Sequence, residues 1–132
     1  MKKYICLVDD NIDDWTLIDH ALTQLKVAVE VREFANGMEL LDSFALYDLQ
    51  DVPTGIVTDI NMPKLDGISM LKRLKRHPAL HTVPAIVFSS FISDEERDQC
   101  LAAGAVDVIS KGMDFTTYKR QVEVITKKLG LT

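Results

Sequence analysis

The chain has 132 residues, 47% of them apolar, and a net charge of −5. That is one domain's worth of chain with enough apolar material for a real core; it excludes disorder and argues against a general nucleic-acid or anionic-membrane surface. No apolar stretch approaches the roughly 20 residues of a membrane span, the Met1-Lys2-Lys3 start leads into no signal peptide, and two scattered cysteines make neither a disulfide framework nor a zinc site, so a reduced, cytoplasmic protein is the simplest expectation.

Tyr4-Ile5-Cys6-Leu7-Val8 is short and continuously apolar, as a strand covered on both faces is, and it ends abruptly in Asp9-Asp10. Asn11 can cap the following helix, with Asp13 and Asp14 favoured by the dipole of its first turn and Ile18, Ala21, Leu22 and Leu25 on one face. From Val29 to Phe34 apolar and charged residues alternate, which suits an edge strand with one wetter face. Asn36-Gly37 turns the chain, and Met38, Leu41, Phe44 and Ala45 give the next helix a buried stripe. Gly55-Ile56-Val57-Thr58 is a third strand, and Asp59 stands where it ends. Pro63 then prevents continuation, and Asp66-Gly67 opens a basic amphipathic helix with Ile68, Leu71 and Leu74 inward and Lys72, Arg73, Lys75 and Arg76 outward.

Val83 to Phe88 is the fourth strand, with Pro84 near its start, and it closes on Ser89-Ser90. Ser93 followed by Glu96 spells a capping box for a helix that Gly104 terminates. Val106 to Ile109 is a short fifth strand, ending at Ser110-Lys111-Gly112. Asp114 caps the last helix, whose face repeats at Phe115, Tyr118, Val122, Ile125 and Leu129. This alternation implies an α/β fold: a doubly wound five-stranded parallel sheet with five helices over its two faces. Strand order 2-1-3-4-5 would make the first, third, fourth and fifth strands neighbours and gather Asp9, Asp10, Asp59, Ser89 and Lys111 on one rim. Carboxylates so crowded repel one another, which raises their pKa values unless a hard cation such as Mg2+ sits among them. A lysine and a hydroxyl beside them suit phosphoryl transfer, with one carboxylate as nucleophile.

With these residues in this order, the chain resembles the receiver domains of two-component response regulators over essentially its full length. The Asp9-Asp10 pair, the Asp59-x-x-x-Pro63-x-x-Asp66-Gly67 run, Ser89 and Lys111 carry the resemblance, and the acidic Asp9-to-Asp14 opening is similar to stand-alone receivers. It implies a flavodoxin-like receiver fold over residues 1–132 with no output domain. It implies Asp59 as phosphoacceptor, and Mg2+ held by Asp9, Asp10, Asp59 and the Asn61 backbone carbonyl. Ser89 becomes the switch hydroxyl and Lys111 the phosphoryl-binding amine. The partners implied are a sensor histidine kinase or histidine phosphotransfer protein and an unknown downstream protein, met through the face of the fourth helix, fifth strand and fifth helix. No nucleic acid or membrane is implied, and a monomer or weak dimer is expected.

Two positions depart from the family. Val108 stands where an aromatic usually rotates, and Gly112 stands where a proline usually follows the lysine in a cis bond. A cis bond before a non-proline costs roughly 2.5–4 kcal/mol, so a trans bond and a differently shaped loop are expected. Two other readings stay open: an aspartyl-nucleophile phosphatase, which would want an acid where Asn61 stands, and a degenerate receiver used as a constitutive binding module. Phe91, two residues past Ser89, is expected to border the pocket and hinder the water that attacks the acyl phosphate. Cys6 reads as a packed thiol and Cys100 as structural, with redox sensing as the alternative. The three histidines are scattered, Trp15 is either half-exposed packing or part of a first-helix docking surface, and the basic run of the third helix is a wet face with partner docking as the alternative.

Overall fold

The computed structural model describes residues 3–45 and 51–132; Met1 and Lys2 of the charged start lie outside them. The strands are β1 (Tyr4–Val8), β2 (Glu30–Phe34), β3 (Gly55–Thr58), β4 (Ala85–Ser89) and β5 (Asp107–Ser110). The helices are α1 (Ile12–Gln24), α2 (Gly37–Ser43), α3 (Gly67–Lys75), α4 (Asp94–Ala102) and α5 (Phe115–Lys128). All strand pairs are parallel, in the order β2-β1-β3-β4-β5. The architecture is the one the alternation implied.

The period-two rule of strands divides the core into two. Tyr4, Cys6 and Val8 of β1 point to one face, where they pack with Ile56, Val87, Leu40, Met70, Leu71, Leu74 and Cys100 beneath α2, α3 and α4. Ile5 and Leu7 point to the other and pack with Val57, Ile86, Phe88, Ile18, Leu22, Val122 and Ile125 beneath α1 and α5. With both faces covered, β1, β3 and β4 are buried at every position, which is why they carry no alternation.

The expected caps are present. Asn11, Asp66, Ser93 and Asp114 each accept a first-turn N–H, and Ser93 and Glu96 close the capping box reciprocally. Several expectations shift. β5 runs Asp107–Ser110 rather than Val106 to Ile109, and in α2 Leu40 is fully buried while Ala45 of the expected stripe is exposed. β2 starts at Glu30 rather than at Val29, because Val27 N–H is still tied to Leu22 and the ladder begins only where Glu30 N–H reaches Lys3 O. β4 starts at Ala85, past Pro84, whose missing N–H cannot join the ladder, although its carbonyl receives Ile56 N–H. In α3 Leu71 and Leu74 are buried as expected and Met70 is fully buried beside them, while Ile68 is only half-buried. Cys6 and Cys100 are buried, and burial pushes the Cys6 thiol up to about 12, so it packs and does not react.

Candidate functional site

The rim side chains leave from backbone that still belongs to the sheet. Asp9 N–H donates to Phe34 O at 3.0 Å, Asp59 N–H to Val8 O at 2.9 Å, and Lys111 N–H to Ser89 O at 2.9 Å. The ladder therefore extends one residue past each strand and directs the side chain before any side-chain contact forms. Past Asp59 the chain turns so tightly that a Cβ on Gly67 would lie 2.2 Å from the Asp59 carbonyl oxygen; only glycine lets α3 begin there.

Asp59 uses its two oxygens differently. Oδ1 accepts from the Ile60 N–H at 2.6 Å and from the Ser89 hydroxyl. Oδ2 faces Lys111 Nζ at 3.6 Å and, among the described residues, accepts no hydrogen bond. Ser89 is buried, so its hydroxyl is held against Asp59 and not lent to solvent.

Asp9 is almost fully buried; its Oδ1 accepts from Asn11 N–H at 2.9 Å and its Oδ2 from Lys111 Nζ at 2.8 Å. Burial pushes its carboxyl above the ordinary value, Lys111 and the Asn11 N–H pull against that rise, and the Asp59 charge adds to it. Burial thus outweighs the repulsion between acids that the sequence led us to expect. Lys111 has a side chain only 7% exposed. Burial alone would lower its pKa, but Asp9, Asp59 and Asp14 more than offset that, and the ammonium is held above its ordinary value.

The carboxylates of Asp9, Asp10 and Asp59 each place an oxygen within 4.8 Å of the others. Oxygens sharing one Mg2+ at ~2.1 Å can be at most ~4.2 Å apart, so small side-chain rotations suffice. Hard oxygen donors on a rim that runs from buried Asp9 to exposed Asp10 fit a small divalent cation that keeps some of its water. Asn61 is exposed two residues beyond Asp59, and its carbonyl oxygen accepts no hydrogen bond from the described residues.

The loop after Lys111 solves the missing proline in its own way. The described peptide bonds are all trans. Gln121 of α5 pins the loop at two points, accepting Gly112 N–H at 2.8 Å and donating to Ser110 O at 2.6 Å. Gly112 is needed for space, since a Cβ there would meet Thr117 Cγ2 at 2.5 Å. At Val108, the carbonyl receives Arg97 of α4 at 2.8 Å, and the side chain is buried.

Two expectations fail in detail. Phe91 sits in the left-handed region (φ 54°) with 92% of its surface free, so its ring shields nothing in this structure. Asp14 is not merely a dipole-favoured surface acid: it is buried, with Oδ2 on Lys111 at 2.9 Å and Oδ1 on the Tyr118 hydroxyl at 3.2 Å. Trp15 does lie at the acidic pair, its indole N–H donating to Asp9 O at 2.9 Å.

Sheet order 2-1-3-4-5 with polar groups gathered past the strand ends defines a flavodoxin-like α/β domain. The family model of the response regulator receiver domain matches residues 5–123, and the chain belongs to that family. Among curated relatives, it is 30% identical to the two-component response regulator ARR15 of Arabidopsis thaliana, over 96% of this chain and 64% of that protein. A 57-residue stretch, 43% of this chain, is 47% identical to the gliding motility regulatory protein of Myxococcus xanthus but spans only 7% of it. Among solved structures, the phosphorylated cyanobacterial phytochrome response regulator RcpA superposes with a TM-score of 0.86 at 28% identity, covering 96% of this chain and 93% of that one. The receiver domain of sensor histidine kinase PA1611 from Pseudomonas aeruginosa PAO1, solved with magnesium in its active-site cleft, gives 0.75 at 25% identity, covering 98% and 99%.

Proposed function

We propose that this receiver is a phosphoacceptor switch and that Asp59 is the residue modified. The observation that carries the reading is the Asp59 carboxylate itself. Its Oδ1 is engaged by Ile60 N–H and Ser89, while Oδ2 accepts no hydrogen bond among the described residues and faces an ammonium at 3.6 Å beside two further acids. An anionic nucleophile with one oxygen free and a cation near the incoming charge is what in-line phosphoryl transfer needs.

The donor is a phosphohistidine of a sensor histidine kinase or histidine phosphotransfer protein. Oδ2 attacks phosphorus while the P–N bond breaks; the electron pair stays on the imidazole nitrogen, and an acyl phosphate forms on Asp59. Asp9, Asp10, Asp59 and the Asn61 carbonyl would hold a divalent cation, which would supply charge neutralisation for the phosphoryl oxygens. Ser89, bonded to Oδ1 before transfer, moves its hydroxyl to a phosphoryl oxygen, and Lys111, whose Nζ stands 3.6 Å from Oδ2, takes up the new negative charge. The new charge then shifts the population between two surface states. α4 and β5 are coupled through Arg97 and the Val108 carbonyl, so that face is the natural output surface. The phosphorylated state of RcpA and the magnesium in the PA1611 receiver support this reading by analogy. No helix among the described residues is long and apolar enough to cross a membrane, and we place the protein in the cytoplasm, beside such kinases.

The test is incubation with acetyl phosphate and Mg2+, followed by intact mass. One phosphoryl adduct, lost in Asp59→Asn and lost on chelation, is expected. An adduct that survives in Asp59→Asn would overturn the assignment.

A further inference from the structure

One buried carboxylate at the rim has no part in the reaction just described. Asp14 lies in the first turn of α1, where its neighbour Asp13 already offers the helix dipole an acid in full solvent. Asp14 is instead turned inward, and both its oxygens are engaged by residues distant in sequence. Oδ2 accepts from Lys111 Nζ at 2.9 Å, and Oδ1 accepts from the Tyr118 hydroxyl at 3.2 Å. Tyr118 is itself buried, its ring packed on Phe88 with centroids 5.1 Å apart, so the hydroxyl has little freedom. Burial first, and then the Asp14 charge, keep the phenol protonated and therefore a donor.

Lys111 has three N–H groups and three carboxylates around it. Two of the contacts are short bonds, to Asp9 and Asp14; the third, to Asp59 Oδ2, is 3.6 Å and too long for a hydrogen bond. The ammonium is thus drawn away from the phosphoacceptor by partners on β1 and α1. Asp9 belongs to the three-acid cluster that fits a cation, whereas Asp14 does not. Asp14 is therefore the partner of Lys111 with no second duty.

We propose that Asp14, oriented by Tyr118, is a positioning residue: it retains Lys111 in the unmodified protein and competes with a phosphoryl group on Asp59 for the ammonium. The proposal rests on the phosphoacceptor reading and adds to it a restraint on how readily the modified state forms. Releasing the restraint makes a phosphoryl group, or a mimic of one, better held. Asn at position 14 keeps the shape and removes the charge, while Phe at position 118 leaves the charge and removes its orienting donor.

The probe is beryllofluoride with Mg2+, titrated by calorimetry into wild type, Asp14→Asn, Tyr118→Phe and Asp13→Asn. Asp14→Asn is expected to bind about tenfold tighter, the factor that corresponds to one charge-assisted hydrogen bond. Tyr118→Phe is expected to tighten binding by a smaller factor, which no loss of charge can explain. Asp13→Asn loses the same charge without touching Lys111 and is expected to change affinity by less than about twofold. Unchanged or weaker binding in Asp14→Asn overturns the proposal, as does an equal gain in Asp13→Asn or no gain in Tyr118→Phe. A wild-type protein that binds no beryllofluoride overturns the phosphoacceptor reading instead, so the two failures are told apart.

Discussion

β5 carries an ion pair at each end, and the two could hardly differ more. At its start, Asp107 meets Lys128 of α5 at 2.7 Å, with side chains 26% and 47% exposed. Just past its end, Lys111 meets Asp9 at 2.8 Å and Asp14 at 2.9 Å, with Lys111 7% and Asp9 2% exposed. The distances are alike, so distance does not separate them. Burial does. The outer pair exchanges hydration for a contact that salt screens, while the inner group has surrendered its water and depends on every partner. Asp107, whose burial is outweighed by Lys128 and the Val108 N–H, is held below its ordinary value, whereas Asp9 is held above it.

The sharpest way to break this comparison is to delete one cation from each pair. Lys111→Met leaves Asp9 and Asp14 buried without their ammonium and is expected to destabilise the metal-free protein by about 3–5 kcal/mol, as measured by urea unfolding. The deficit has a pH signature. Asp9 is an acid whose folded pKa is already raised, so its ionised form costs stability above that value and the cost is returned as pH falls. Losing Lys111 raises it further, so the gap to wild type should narrow when unfolding is repeated at lower pH. A gap that widens towards acid would contradict the assignment.

A second cut tests how the buried end is held. Gln121→Ala frees Gly112 N–H and Ser110 O together and is expected to cost about 1–3 kcal/mol, the sum of two ordinary hydrogen bonds. Because this loop carries Lys111, adduct formation with acetyl phosphate should slow as well; a stability loss with an unchanged rate would show that the loop does not position the lysine. The smallest effect belongs to the outer pair. Asp107→Asn should cost no more than about 1 kcal/mol at neutral pH. Since the Asp107 pKa is lowered in the fold, that small contribution is present above the unfolded value of 3.8 and fades as pH falls through the folded one. Added salt should shrink it further.

The same contrast explains what the sequence could and could not say. Asp59 was legible because strand, acid, proline and Asp-Gly turn are consecutive, and Gly67 was legible because the turn pair sits where a helix must open. Ser93 with Glu96 was legible for the same reason: a capping box is local. Asp14 was misjudged because its local setting, an acid in a first turn, is fully explained by the dipole. Its actual partners stand 97 and 104 residues away, and only the packing of α1 beside α5 brings them together. Gln121 was invisible for a similar reason, since nothing in an amphipathic helix marks one polar residue as a clamp for the loop before it. Phe91 shows the opposite error: two residues past Ser89 is near in sequence, but a left-handed backbone there leaves the ring in solvent.

The most direct test of the account is to locate the modification. The protein would be charged with acetyl phosphate and Mg2+, reduced with borohydride, digested, and its peptides sequenced by mass spectrometry; reduction converts an aspartyl phosphate to homoserine. Conversion at position 59 alone is expected, because among the described residues only there does a carboxylate oxygen face the lysine without a hydrogen bond of its own. Conversion at position 9, 10 or 14 instead would contradict the account.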